Sequence, residues 1–372
     1  MQKDIFKTKN YWRNLDKNIL ASFVLLFVLG IFFSFSSTSF LADERLNKEY
    51  YFFFQKHLLY ALISFSIMIF VSLLNTDVIN KSLLPIFLFF LFLLILVPFI
   101  GIEVKGAKRW LNLYIFRIQP IEFIKPFFIL AIVQIITSSW IKNLNIAYLA
   151  SFILLSSIIF LLVLQPDLGQ SVLLISTWIS LIFVSGVNIV YLSLILVFTI
   201  FSFFILLYIA PEKFSYIVSR LTSFIDPAKS GYSQSHKATE AIRQGGLKGQ
   251  GMGEGVLKES VPEAHTDYII AVVSEEFGSL ASILIILIFL FIALRIIKKV
   301  INLSNNFYKL SLSGLASLLI FQAFIHVGVN ANLLPTTGMT LPFLSYGGSS
   351  LLSSGIVAGI ILNYTSFEEK IE

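Results

Sequence analysis

The chain has 372 residues, 57% of them hydrophobic and 13% charged, with a net charge of +6 and no cysteine. A soluble domain carries about 25% charged residues, so this composition excludes an ordinary soluble enzyme, and the missing cysteines exclude disulfide frameworks and thiolate metal sites. The positive balance points to membrane topology and anionic lipid headgroups, not to nucleic acid.

Apolar runs of about 17–25 residues, the length that crosses a bilayer, recur along almost the whole chain. They are continuous and not alternating, which excludes a transmembrane barrel and predicts an all-α polytopic membrane protein, one integral domain over residues 1–372. Ten spans are expected, at roughly 17–37, 54–74, 81–100, 121–139, 147–164, 168–185, 189–210, 267–294, 310–333 and 343–363. The first run ends in "FSFSSTSFLADER" without a small-residue cleavage site and reads as a span, not a signal peptide. Residues 211–266 form the one large segment outside the membrane.

Orientation follows from Lys and Arg near the span ends. The N-terminal tail holds Lys3, Lys7, Lys9, Arg13 and Lys17, and the connection after span 8 holds Arg295, Lys298, Lys299 and Lys309. An even number of spans puts both clusters and both termini on one side, the cytoplasm, and segment 211–266 outside it. The connection after span 3 should then be poor in cations. It holds Lys105, Lys108, Arg109 and Arg117, with Lys125 just beyond. An anionic ligand at the outer face would account for them.

In chain order, "GAKRWLNLYIF" places Trp110 beside Lys108 and Arg109 in a stretch expected to lie along the membrane interface. As a bland reading it is an interfacial anchor. Glu122 and Lys125 sit inside the next span at i, i+3, where they can pair, and Pro126 should loosen that helix. Intramembrane ionisable residues are functional candidates. Asp167 of "LQPDLGQS" is placed to cap span 6, which is compatible with a further role. Six glycines between Gly245 and Gly255 lack the features of a phosphate-binding loop and suit a flexible turn shaping a substrate groove.

"HTDYIIAVVSEEFG" opens span 8. On a continuous helix Asp267, Ala271, Ser274 and Gly278 share one face, and Asp267 reads either as a first-turn acid complementing the helix dipole or as a reactive group at the membrane mouth. Glu275 and Glu276 would lie roughly 12–13 Å deeper, as ion-pair or packing elements. Gln322, His326 and Asn330 form a polar stripe at i, i+4, i+8, expected to glue helices together. No set of metal ligands is visible. The closing "LLPTTGMTLPFLSYGGSSLLSSG" suggests a broken helix entrance around Pro335–Pro342 and close helix contact at Gly347, Gly348, Ser349, Ser350 and the pair Gly355 and Gly359.

The blocks "GAKRW", "RIQPIEFIK", "QPDLGQS", "SFIDP…GY", "PEAHTDYI…EEFG" and "LPTTGMTLPFLSYGGSS" occur in the order of the SEDS family of bacterial cell-wall polymerases, and the chain resembles that family over nearly its whole length. "PEAHTD" and "GMTLPFLSYGGSS" resemble its division branch (FtsW type) more than its elongation branch (RodA type). The resemblance implies ten spans and peptidoglycan glycosyltransferase activity on lipid II. It also implies a class B penicillin-binding transpeptidase partner, other division-complex proteins, and a place in the bacterial inner membrane at the septum. By motif it makes Asp267 the essential acid, Arg117 and Lys125 a functional basic pair, and Trp110 the loop tryptophan. Lys108, Arg109, Glu122, Asp167, His265 and Thr266 complete the candidate substrate site, with Arg220 and Arg243 as weaker cations. Ile121, "TDYII" and the short stretch from Asp226 to Tyr232 depart from the family pattern. No cofactor is required by these residues, although a divalent magnesium or manganese ion could assist. A lipid transporter and a division scaffold are the readings from other classes.

Overall fold

The computed structural model describes residues 14–46, 51–104, 107–113, 116–141, 143–190, 215–225, 234–255 and 264–367, with the isolated positions 6, 192–193 and 197. Its helices are α1 (Lys17–Leu46), α2 (Phe52–Leu73), α3 (Thr76–Ile100), α4 (Pro120–Ile136), α5 (Leu144–Leu164), α6 (Leu168–Val184), α7 (Ser215–Ile225), α8 (Gln234–Gly245), α9 (Ile269–Ile301), α10 (Asn306–Asn330) and α11 (Gly348–Thr365). Three short strands, β1 (Ile102–Val104), β2 (Ala107–Asn112) and β3 (Arg117–Ile118), lie between α3 and α4. Nine of the expected spans therefore fall on helices. The seventh lies mostly outside the described residues, as do Lys105, Pro262 and the Asp226 to Tyr232 stretch. The protein is a multi-pass membrane protein.

Among the described residues six helices, α1, α2, α3, α5, α9 and α10, contain apolar stretches long enough to cross a membrane. Most of them bury one stripe and turn the rest outward. In α3, Ile79, Leu83, Phe87 and Leu94 face the protein while Leu84, Leu88, Phe89 and Phe92 are exposed, the pattern of a helix with lipid on one side. α4 differs: 15 of its 17 residues are buried. It is the central post of the bundle, so the charged pair it carries is inside protein and not in hydrocarbon.

Small residues bring helices together where sequence suggested. A Cβ on Gly355 would stand 2.4 Å from the Ser64 carbonyl oxygen, and one on Gly359 2.8 Å from that of Met68. α11 therefore lies directly on the backbone of α2.

Several spans are interrupted, and each break described below is closed by another element. Proline lacks the N–H that would bond the carbonyl four residues back. Pro126 frees the Glu122 carbonyl, which accepts from Ser353 Oγ of α11 at 2.6 Å. Pro98 frees the Leu94 carbonyl, which accepts from Gln165 Nε2 at 3.2 Å. Gly278, at φ 83° and ψ 165°, breaks α9. There the amides of Gln250 and Gly251 donate to the carbonyls of Glu275 and Glu276 at 2.9 and 3.0 Å, and the Ser279 amide donates to the Gly246 carbonyl at 2.9 Å.

At one end of the bundle Asp16 accepts from the amides of Asn18 and Ile19 at the start of α1 and pairs with Arg295 at 3.0 Å. Phe6 bridges to Leu74, whose carbonyl accepts from Asn363. The two ends of the described chain thus share that end. The opposite end holds the sheet, the α5–α6 turn, α8, and the segments before α9 and α11.

Candidate active site

The connection after α3 is an antiparallel sheet in the order β1-β2-β3, which adds a strand element to an otherwise all-α fold. Strand alternation explains how its cations divide. Ala107 and Leu111 are buried, so Arg109 between them points inward while Lys108 is exposed on the other face. Arg117, paired with Asn112 in the neighbouring strand, is also exposed, and Trp110 is half-buried opposite Ile102.

Arg109 reaches the α5–α6 turn. Its guanidinium donates to the carbonyls of Gln165, at 3.2 Å, and Pro166, and its Nε lies 3.7 Å from Asp167 Oδ2. Asp167 caps α6 as expected, accepting from the Gln170 amide at 3.3 Å, and Gln119 Nε2 approaches its other oxygen at 3.5 Å. Burial pushes the Asp167 carboxyl above its ordinary range, while Arg109 and the Gln170 amide draw it back.

Below this turn the expected Glu122–Lys125 pair forms at 2.8 Å with both side chains almost wholly buried. Gln170 donates to Glu122 at 2.6 Å and Lys125 to Gln322 at 3.3 Å. The amide of Gln322 then donates to the Thr340 carbonyl at 3.0 Å. Lys125 is thus enclosed by its partners and does not face outward with Lys108 and Arg117.

Asp267 stands in the turn at residues 264–268, ahead of Tyr268, the N-cap of α9. It is therefore not a first-turn acid and does not share a helical face with Ala271, Ser274 and Gly278. A helix already broken at Gly278 also removes the assumption of one straight path from Asp267 to its far end. Gly338, at φ 73°, brings the backbone of the 336–340 segment up to the carboxylate: a Cβ there would lie 3.5 Å from Asp267 Oδ2. Three groups hold that segment. Arg220 of α7 donates to the Thr336 carbonyl at 2.5 Å, His326 Nδ1 bonds the Met339 carbonyl at 2.8 Å, and Gln322 takes Thr340. Arg220 also acts at longer range on both sides of the site. It lowers the pKa of Asp167 and that of the Tyr268 phenol, which burial and Asp267 raise.

His265 packs its ring between Phe53 and Tyr346, at centroid distances of 5.1 and 5.5 Å, and its carbonyl accepts the Tyr346 amide. Thr266 is half-buried in the same turn, and Arg243 is exposed on α8. Glu275 and Glu276 are buried beneath the glycine-rich turn, and Ser36 donates to Glu276. The turn packs so closely that Cβ atoms on Gly245 and Gly249 would stand 1.9 and 2.2 Å from the carbonyl oxygens of Ser274 and Glu276. These glycines seat the turn on a broken helix. Among the described residues no three His, Asp or Glu side chains gather as a metal site would require.

Sequence reasoning took Ser349 and Ser350 only as small residues for close helix contact and missed Ser353 and the hydrogen bonds that these hydroxyls make. Ser349 accepts the Gln119 amide, Ser350 bonds Thr340, and Ser353 serves Glu122. The signal was present in "SYGGSSLLSSG", where serines recur among the glycines.

A family profile described as cell cycle protein, spanning FtsW, RodA and SpoVE, matches residues 16–370. The chain is 34% identical over 359 residues to a probable peptidoglycan glycosyltransferase FtsW of Caulobacter vibrioides, covering 95% of this chain and 89% of that one. It is 32% identical over 353 residues to stage V sporulation protein E of Bacillus subtilis, covering 92% and 95%. Among solved structures, a chain from a peptidoglycan synthase complex that coordinates polymerization and crosslinking superposes with a TM-score of 0.75 at 22% identity, over 94% of this chain and 97% of that one. The rod shape determining protein RodA of Thermus thermophilus superposes at 0.68, also at 22% identity, over 95% and 97%. At that identity the structures speak for the fold.

Proposed function

The chain belongs to the SEDS family of FtsW, RodA and SpoVE, and on that premise we propose that it is a peptidoglycan glycosyltransferase of the division type, polymerising lipid II. Its site faces outward from the bacterial inner membrane at the septum, with both termini in the cytoplasm. Its partners are a class B penicillin-binding transpeptidase and other membrane proteins of the division complex. The observation that carries this reading is the seating of Asp267: Gly338 brings the 336–340 segment against its carboxylate, and Arg220 holds that segment by the Thr336 carbonyl.

In the proposed step the 4-hydroxyl of the acceptor sugar attacks the anomeric carbon of the donor, and the bond from that carbon to the lipid pyrophosphate breaks. The leaving pyrophosphate takes the bonding electrons. Asp267 takes the hydroxyl proton, an assistance worth about 10²–10⁴-fold. Lys108 and Arg117, exposed on the sheet, meet the pyrophosphate, and preorganised cations stabilise its growing charge. Arg109 and Arg220 are tied to backbone carbonyls and shape the site around it. Trp110, His265 and Thr266 line the approach. Glu122, Lys125 and Asp167 hold the floor in place.

The test is synthesis of glycan from labelled lipid II by the full chain purified with its transpeptidase, wild type against Asp267→Asn. Glycan from the wild type and none from an equally stable variant is the expected result. Equal glycan from both would remove Asp267 from the chemistry. No glycan from either, with fluorescent lipid II changing leaflet in vesicles, would make the protein a transporter.

A further inference from the structure

Asp267 sits on a turn, and a turn ahead of a helix is a poor anchor for a reactive group unless something fixes it. α9 lacks the usual fixture: its N-cap is Tyr268, which makes no side-chain capping bond. An N-cap side chain would ordinarily accept from the second or third amide of the helix, here that of Ile270 or Ala271. The group that does so comes from another helix. Asn330 at the end of α10 accepts the Ala271 amide on its Oδ1 at 3.1 Å. Its Nδ2 donates to the Asp267 carbonyl at 3.1 Å and to the His326 carbonyl at 2.8 Å. The side chain is fully buried, and these partners fix which way the amide points, since reversal would set oxygen against two carbonyls.

One turn earlier on α10, His326 holds the Met339 carbonyl, next to the Gly338 backbone that faces the Asp267 carboxylate. Two residues of one helix thus hold the main chain of Asp267 and the segment that faces its carboxylate.

We propose that Asn330 is the positioning residue of Asp267, acting as an N-cap supplied by a neighbouring helix. This rests on the reading of Asp267 as the base. Asn330 touches no reacting atom. It caps α9 and holds the main chain of Asp267, so its loss should show in the rate of the chemical step and not in substrate affinity. A displacement of about 1 Å costs up to about 10²-fold in rate.

The experiment measures kcat and KM for lipid II with Asn330→Ala, Asn330→Asp and Asp267→Asn, each assayed in the purified full chain with its transpeptidase. Asn330→Asp keeps the acceptor for Ala271 at nearly unchanged size and loses the donor to Asp267, so it serves if Asn330→Ala does not fold. The expected result is a kcat lowered about 10- to 100-fold in the Asn330 variants, KM held within about twofold, and no measurable turnover for Asp267→Asn. If Asp267→Asn is inactive while both Asn330 variants keep the wild-type kcat, the positioning role is wrong and the base assignment stands. A raised KM at unchanged kcat would move Asn330 into substrate binding and equally overturn the proposal. Turnover by Asp267→Asn at the wild-type rate would remove the base and its positioning residue together.

Discussion

Asp167 is buried, caps a helix and lies beside a guanidinium, and these conditions pull its proton in opposite directions. Burial raises the carboxyl pKa, Arg109 and the Gln170 amide lower it, Glu122 raises it and Arg220 lowers it, with burial the largest. The folded chain therefore holds this proton more tightly than the unfolded chain does. The resulting stabilisation is complete below the ordinary carboxylate pKa of about 4 and is lost as pH rises through the raised folded value. Asp167→Asn removes the titration, so wild type should lose stability relative to this variant as pH rises from about 4. Thermal unfolding of both proteins in one detergent across that range measures the difference. A difference that stays constant with pH would mean that Arg109 and the Gln170 amide just offset burial, and a wild type that gains stability relative to the variant as pH rises would mean that they outweigh it. The residue was legible in sequence as a cap, because an aspartate between two apolar runs has few other ways to be satisfied. Its link to Arg109 was not, because that contact depends on strand alternation in a sheet of short strands which the hydropathy pattern hides.

Among the elements, α4 shows how a broken rule identifies a contact. Pro126 inside a buried helix leaves the Glu122 carbonyl without a helical donor, and Ser353 supplies one from α11. Ser353→Ala should then cost about 1–3 kcal/mol, the penalty of a buried unsatisfied acceptor. Pro126→Ala returns a backbone N–H to the same carbonyl, so in that background the cost of Ser353→Ala should largely vanish. A double-mutant cycle by thermal or denaturant unfolding reads the coupling, and equal costs in the two backgrounds would show that Ser353 serves something else. Pro126 was visible in sequence as a loosening of the helix, but its partner lies 227 positions away by residue number (353 − 126), and no local pattern joins them. Gly278 misled for a related reason. A glycine among apolar residues reads as a packing contact, yet here it carries a positive φ and ends one helical segment. Only the turn that satisfies the freed backbone groups reveals the break, and that turn comes from the segment before the helix.

Across the described residues the breaks share a location logic: Leu94 with Gln165, Glu122 with Ser353 and Gly278 with the glycine-rich turn join spans to one another or to the segments around the site. Backbone groups cannot be left open in a membrane, so a protein that interrupts its helices must close each interruption with another part of itself. That requirement ties Asp267, the sheet and the 336–340 segment into one assembly, while hydropathy alone discloses only the spans. Sidedness decides whether this assembly can meet its substrate outside the cytoplasm, and the chain is suited to the measurement because it has no cysteine. Leu247, 67% exposed in the glycine-rich turn, lies at the end that carries Asp267, and Trp140, 94% exposed between α4 and α5, lies at the other. In intact cells a membrane-impermeant maleimide should label Leu247→Cys, and it should label Trp140→Cys only after permeabilisation. The reverse pattern would turn Asp267 to the cytoplasm, away from the wall it is proposed to build, and the cations at residues 101–120 would lose their explanation as a site for a leaving pyrophosphate on the outer face.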